Sequence, residues 1–170
     1  MILESSEHLL NARLSPARST TIQCDLHLDQ VEMNSTGDFK ISSLAPHVNT
    51  PTISDLIVRS YLHRAGDRRS TLIFCVDLSH VANVTQAFRE AGIDARSVSS
   101  ISAGKSRKET LDAFANGEFP VLVNCEVLTE GTDIPVVSHC QMNPRLTLMA
   151  RLIASFWQGR RRVVIYLLRW

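Results

Sequence analysis

The sequence predicts an α/β fold, a parallel sheet with helices packed on both of its faces. From Thr71 onward, short apolar runs rich in β-branched residues alternate with longer segments of helical spacing. That alternation implies parallel strands joined by right-handed crossover helices. One of the runs, Phe119 to Asn124, ends directly in a polar, glycine-containing loop. Open parallel sheets bind ligands beyond the carboxyl ends of their strands, in loops of this kind. The apolar content, 44% of 170 residues, is enough for the core of one ordinary domain.

Residues 1–50 are the least regular and read as a connector or irregular N-terminal extension. Within them Ile22, Cys24, Leu26 and Leu28 alternate on one face, a half-buried strand pattern. Residues 34–38 read as a turn and residues 45–51 as a loop. The domain proper is expected over residues 51–143. Thr52 or Ser54 opens its first helix, with Ile53, Leu56, Ile57, Tyr61 and Leu62 as the apolar stripe and Gly66 at the end. The run from Thr71 to Val76 is a buried strand. Asp77 or Ser79 caps the next helix, whose apolar face is Leu78, Val81, Val84, Ala87 and Phe88, and Gly92 stops it. A strand over 95–101, a helix over 106–116, a strand over 119–124 and a strand over 136–142 complete the pattern. Past Asn143 the pattern weakens, and residues 144–170 read as a divergent basic tail. Residues 146–157 can form an amphipathic helix, but the run from Val163 to Leu168 has no assured place in the sheet.

Net charge is +1, which makes no general case for polyanion binding. Its distribution is uneven. From Val136 to Trp170 there are six arginines and no acidic residue, which leaves twelve basic and seventeen acidic groups in residues 1–135. So abrupt a change marks either a basic binding surface or sequence of different origin, such as a shifted reading frame. The four cysteines (24, 75, 125 and 140) show no CxxC spacing and no histidine nearby in a ligand pattern, which argues against zinc. Cys75 and Cys125 read as small core side chains in a reducing compartment. The start, MILESSEHLL, is neither a secretory signal nor an Arg-rich transit peptide. No run approaches the roughly 20 apolar residues of a membrane span.

Several motifs invite chemistry that their spacing does not sustain. Ala103-Gly104-Lys105-Ser106 resembles a phosphate loop, but that loop needs a further glycine where Ser99 stands. Ser106 with Glu109 fits a capping box instead. His80 and His139 lack a nucleophile or carboxylate at a recognisable spacing, so structural roles are expected. Glu126 and Glu130 lack the aromatic platforms of carbohydrate hydrolysis. Gln158-Gly159-Arg160-Arg161-Arg162 reads as a solvated basic turn.

Two motifs remain, Ser70–Asp77 and Leu122–Pro135 (LVNCEVLTEGTDIP). They resemble motifs IV and V of superfamily 2 helicases of the DEAD/DEAH-box type, in the second, RecA-like domain of those motors. Over residues 70–135 the wording is similar to the fungal mitochondrial ATP-dependent helicases that act on branched DNA, and residues 20–66 resemble the connector of that subfamily. The resemblance implies a RecA-like, P-loop NTPase-type sheet, in a truncated member of the family. It implies nucleic-acid contacts at Asp77, Cys125, Thr129 and Gly131, and nucleotide contacts at Gly131 and Asp133, the last toward the ribose. Cys125 stands where threonine is usual, and Glu130 where many DEAD-box proteins carry arginine. Motif VI (Q-x-x-G-R-x-x-R) is not recognisable in the tail, and neither a phosphate loop nor a DEAD-like tetrad is present.

The implied function is the C-terminal half of an ATP-dependent helicase, inactive on its own. ATP and Mg²⁺ belong to the full-length family, with none expected on this chain alone and no metal site. The implied partners are nucleic acid, bound weakly and DNA in preference to RNA, and the first RecA-like domain of a full-length relative, with no membrane. An intracellular, mitochondrial location follows from the resemblance alone. A non-catalytic nucleic-acid-binding module and a frame-shifted product without function stay open as alternatives.

Overall fold

The computed structural model describes residues 18–24, 26, 28–35, 37–66, 70–125, 127, 139–142 and 163–169. In chain order the elements are β1 (Arg18–Cys24), a 3-10 turn (Leu28–Gln30), α1 (Ile41–Val48), α2 (Pro51–Arg64), β2 (Thr71–Phe74), α3 (Leu78–Glu90), β3 (Ala95–Ser99), α4 (Gly104–Ala115), β4 (Val121–Cys125), β5 (His139–Met142) and β6 (Val163–Arg169). They build one six-stranded sheet in the order β1-β6-β5-β2-β4-β3. The four inner and edge strands β5, β2, β4 and β3 run parallel, and β6 lies antiparallel to both β5 and β1.

Alternation along the strands sends successive side chains to opposite faces. Ile73, Val121, Val123 and Ala95 join Ile57 and Tyr61 of α2, Val84 and Phe88 of α3, and Leu44 and Val48 of α1 in one cluster. Leu72, Leu122 and Val98 join Phe114 and Phe119 in the other, beneath α4. Both faces of the sheet at β2, β4 and β3 are therefore covered, as the sequence predicts. The aromatic contacts lie one in each layer: Tyr61 meets Phe88 edge-on at 5.3 Å, and Phe114 meets Phe119 at 5.4 Å.

The helix caps explain where the elements start. Thr50, not Thr52 or Ser54, opens α2: its hydroxyl accepts from the Ile53 N–H, and Pro51 occupies the first helical position, where no N–H is needed. Asp77 opens α3 as expected, with its carboxylate accepting from the His80 N–H at 2.7 Å. Gly92 ends that helix at φ +78°, a backbone conformation that side chains disfavour.

Several expectations are corrected. Residues 45–48 are not loop but the second half of α1, which contains Pro46. The proline removes one helical hydrogen bond, yet Leu44 and Val48 are buried in the core, and this packing holds the turn. The Ser106–Glu109 capping box does not form. The helix begins two residues earlier at Gly104, and its N-cap Ala103 has no side chain able to bond. The strand read over 95–101 stops at Ser99, because the Ser102 N–H turns back onto the Ser99 carbonyl at 3.1 Å. The apolar run in the tail has a sheet position, between β1 and β5, and residues 18–24 of the N-terminal extension close that edge of the sheet.

Candidate nucleic-acid interface

Parallel pairing brings three strand ends to one edge of the sheet. Phe74 at the end of β2 pairs with Asn124, and Ser99 at the end of β3 pairs with Cys125 at the end of β4. The described segments that follow β2 and β3, at Cys75–Asp77 and 100–103, therefore leave the sheet from the same edge at which β4 ends. The helices α3 and α4 begin at the same edge, with their N-terminal N–H groups turned toward it.

Asp77 is at this edge, partly exposed, and its carboxylate is already used as the cap of α3. Cys125 is there too, but its side chain is 4% exposed and packs in the core. Its neighbour Cys75 is equally buried, and its N–H donates to the Asn124 carbonyl at 2.8 Å. Burial pushes the Cys75 thiol well above the ordinary range, and the nearby Cys125 and Asp77 push it in the same direction. A buried thiol kept protonated is a poor nucleophile, so Cys75 is a packing group. Thr129, Gly131 and Asp133, the remaining expected contacts, lie outside the described residues, as does Glu130.

Three residues that the sequence reading did not single out shape this edge. Asn124 is fully buried on β4, one strand in from the edge strand β3, and its Nδ2 donates to the Ile73 carbonyl at 2.9 Å, tying the end of β4 to β2. A lone amide in the run VLVNC was the available signal. Asn49 accepts from Asn83 Nδ2 at 2.9 Å and donates to the Ser79 hydroxyl at 3.2 Å, pinning the end of α1 to the start of α3. Arg107 folds back from α4 onto the loop after β3, donating to the carbonyls of Ser99, Ser100 and Ser102 at 3.0 to 3.2 Å. Nothing in the spacing of these residues announces those contacts.

The described residues do not build a nucleotide cradle at AGKS. Ser99, in the place of the wrapping glycine, ends β3, and Gly104 is the first residue of α4. Nor do the described residues hold a group of three or more His, Cys, Asp or Glu able to bind a metal ion. A cleft of about 540 Å³ lies between α2 and α3, lined by residues such as Ser54, Asp55, Asn83 and Glu90, and contains none of the expected contacts. No helix among the described residues is long and apolar enough to cross a membrane.

Comparison with known proteins shows the family. The pattern of the "Helicase conserved C-terminal domain" family matches residues 52–164. A Saccharomyces cerevisiae protein named "Putative ATP-dependent helicase IRC3" is 35% identical over 145 residues, covering 82% of this chain and 21% of that protein. A Schizosaccharomyces pombe protein named "Putative mitochondrial ATP-dependent helicase irc3" is 48% identical over 79 residues, covering 46% of this chain and 13% of that one. The chain thus spans about a fifth or less of the length of these relatives. Among solved structures, the helicase domain of Pyrococcus furiosus Hef is 29% identical with a TM-score of 0.42, over 49% of this chain and 18% of that chain.

Proposed function

Since the chain belongs to the helicase conserved C-terminal domain family, we propose that it is the C-terminal RecA-like half of an ATP-dependent nucleic-acid helicase and acts as a nucleic-acid-binding half-motor. The observation that supports this most directly is the convergence of the ends of β2, β3 and β4 at one sheet edge. In this reading the segments at Asp77 and from Cys125 to Gly131 face the nucleic-acid backbone. Because the Cys125 side chain is buried, its share would come from the main chain. Thr129 would add a hydroxyl and Gly131 a close backbone approach. Gly131 and Asp133 would meet a nucleotide held against a first RecA-like domain, whose residues supply the phosphate loop and Mg²⁺ ligands.

No phosphate-loop sequence is present in these 170 residues, so the chain by itself should not turn over ATP. DNA is the proposed substrate in preference to RNA, bound weakly, and the mitochondrion is the proposed site of action, after the name of the S. pombe relative.

Fluorescence anisotropy on labelled single-stranded and duplex DNA, titrated at several salt concentrations, tests the reading together with an ATPase assay. Binding should be weak and fall steeply with salt, as it does when phosphates are neutralised by cationic side chains. Thr129→Ala should weaken it several-fold, whereas Asp77→Asn, which keeps the helix cap and removes a negative charge, should leave it unchanged or tighten it, with no ATP hydrolysis in either variant. Absence of DNA binding at low salt would overturn the proposal. ATP turnover lost on Lys105→Ala would instead mean that AGKS works as a phosphate loop.

A further inference from the structure

The loop between β3 and α4 is short, and its tip is apolar. Ile101 is 77% exposed, the most exposed large apolar side chain among the described residues. A solvated isoleucine is unremarkable alone, but this one is held out by a built support. Arg107 donates to the carbonyls of Ser99, Ser100 and Ser102, on both sides of Ile101. The Ser99 N–H donates to the Ser102 hydroxyl at 3.1 Å, and the Ser102 N–H to the Ser99 carbonyl. Five contacts thus close a loop of a few residues with the isoleucine at its outer end. The exposed Lys105 and Lys108 follow it in sequence on α4, whose first turn carries no acidic residue.

The loop leaves the sheet from the edge at which β4 ends, because Ser99 and Cys125 are paired. An apolar tip followed by cations, at the edge where the ends of β2, β3 and β4 meet, matches the chemistry of a nucleic-acid strand: phosphates for the lysines and an unstacked base for the isoleucine. Isoleucine is among the side chains that proteins insert between base steps. We infer that Ile101 is an apolar wedge that packs against an unstacked base of a single nucleic-acid strand, and that Arg107 is the positioning residue that presents it. The inference rests on the proposed nucleic-acid function and adds to it a specific contact. Lys105 contributes a phosphate contact from the first turn of α4.

The test uses the full chain and a short fluorescein-labelled oligothymidine, with a second oligonucleotide that carries 2-aminopurine as a reporter of unstacking. Ile101→Ser, at an exposed position that leaves the core intact, should weaken binding by about fivefold or more with the salt slope unchanged. It should also abolish the rise in 2-aminopurine fluorescence that the unaltered chain produces. Lys105→Ala should weaken binding and reduce the salt slope by about one. Arg107→Met removes the three contacts that its Nη2 makes with the loop carbonyls, so it should behave like Ile101→Ser rather than like Lys105→Ala. If the unaltered chain binds and Ile101→Ser binds equally with the same fluorescence rise, the wedge is refuted while the helicase reading stands. If the unaltered chain does not bind at all, the helicase reading fails and the wedge with it.

Discussion

His80 is fully buried in the first turn of α3, three residues after the cap Asp77. Burial lowers its pKa to about 4, against a smaller opposing pull from the Asp77 carboxylate. In the unfolded chain a histidine titrates near 6.5. Above that pH His80 is neutral in both states, and its contribution to stability is fully present. As the pH falls from about 6.5 through about 4, the unfolded chain takes up a proton that the folded chain excludes, and stability falls by something on the order of 3 kcal/mol. Urea unfolding followed across that range should show the loss, and His80→Gln should flatten it. An unchanged slope in the variant would assign the acid sensitivity to other groups. At this scale sequence reading succeeds where the chemistry is local. Asp77 was read as a cap because its partner is three residues away, and His80 was read as structural because no catalytic partner had a recognisable spacing. It missed Arg107 and Asn124, whose acceptors are backbone carbonyls, which any residue carries and no spacing marks.

Two glycines at the element scale separate backbone conformation from packing. Gly92 ends α3 at φ +78°, and a Cβ added there would meet nothing within 4 Å. Gly104 opens α4 with equally open surroundings and no positive φ. Gly92→Ala should therefore cost about 1 kcal/mol through strain alone, while Gly104→Ala should be neutral or slightly stabilising, since it also lowers the entropy of the unfolded chain. Thermal melts of the two variants check this, and equal shifts would contradict it. Gly92 was legible as a helix stop because one residue type answers one backbone requirement. Other boundaries were not. The helix α1 was hidden by Pro46, since propensity counts the lost hydrogen bond but not the burial of Leu44 and Val48 that offsets it. The start of α4 was misplaced because the serine that turns the chain is Ser102, bonded back to β3, rather than Ser106.

Across the whole molecule, the sheet gathers segments far apart in sequence: β6 pairs along its full length with β1 on one side and in part with β5 on the other. Amides of residues 163–169 should accordingly exchange with protection comparable to those of residues 121–125, which hydrogen exchange followed by mass spectrometry would measure. Fast exchange at 163–169 would mean that this edge of the sheet opens independently of the centre. The sequence by itself determined the fold class, the alternation of strands and helices from Thr71 to Asn124, and the family. Each of these rests on periodicity, caps and motif spacing, which are properties of neighbouring residues. Only the tertiary structure decided the strand order, the place of residues 18–24 and 163–169 in the sheet, and the meeting of the ends of β2, β3 and β4 at one edge. These depend on pairing between backbones tens of residues apart, and backbone hydrogen-bonding groups are the same in every residue, so a short apolar run does not specify its partner.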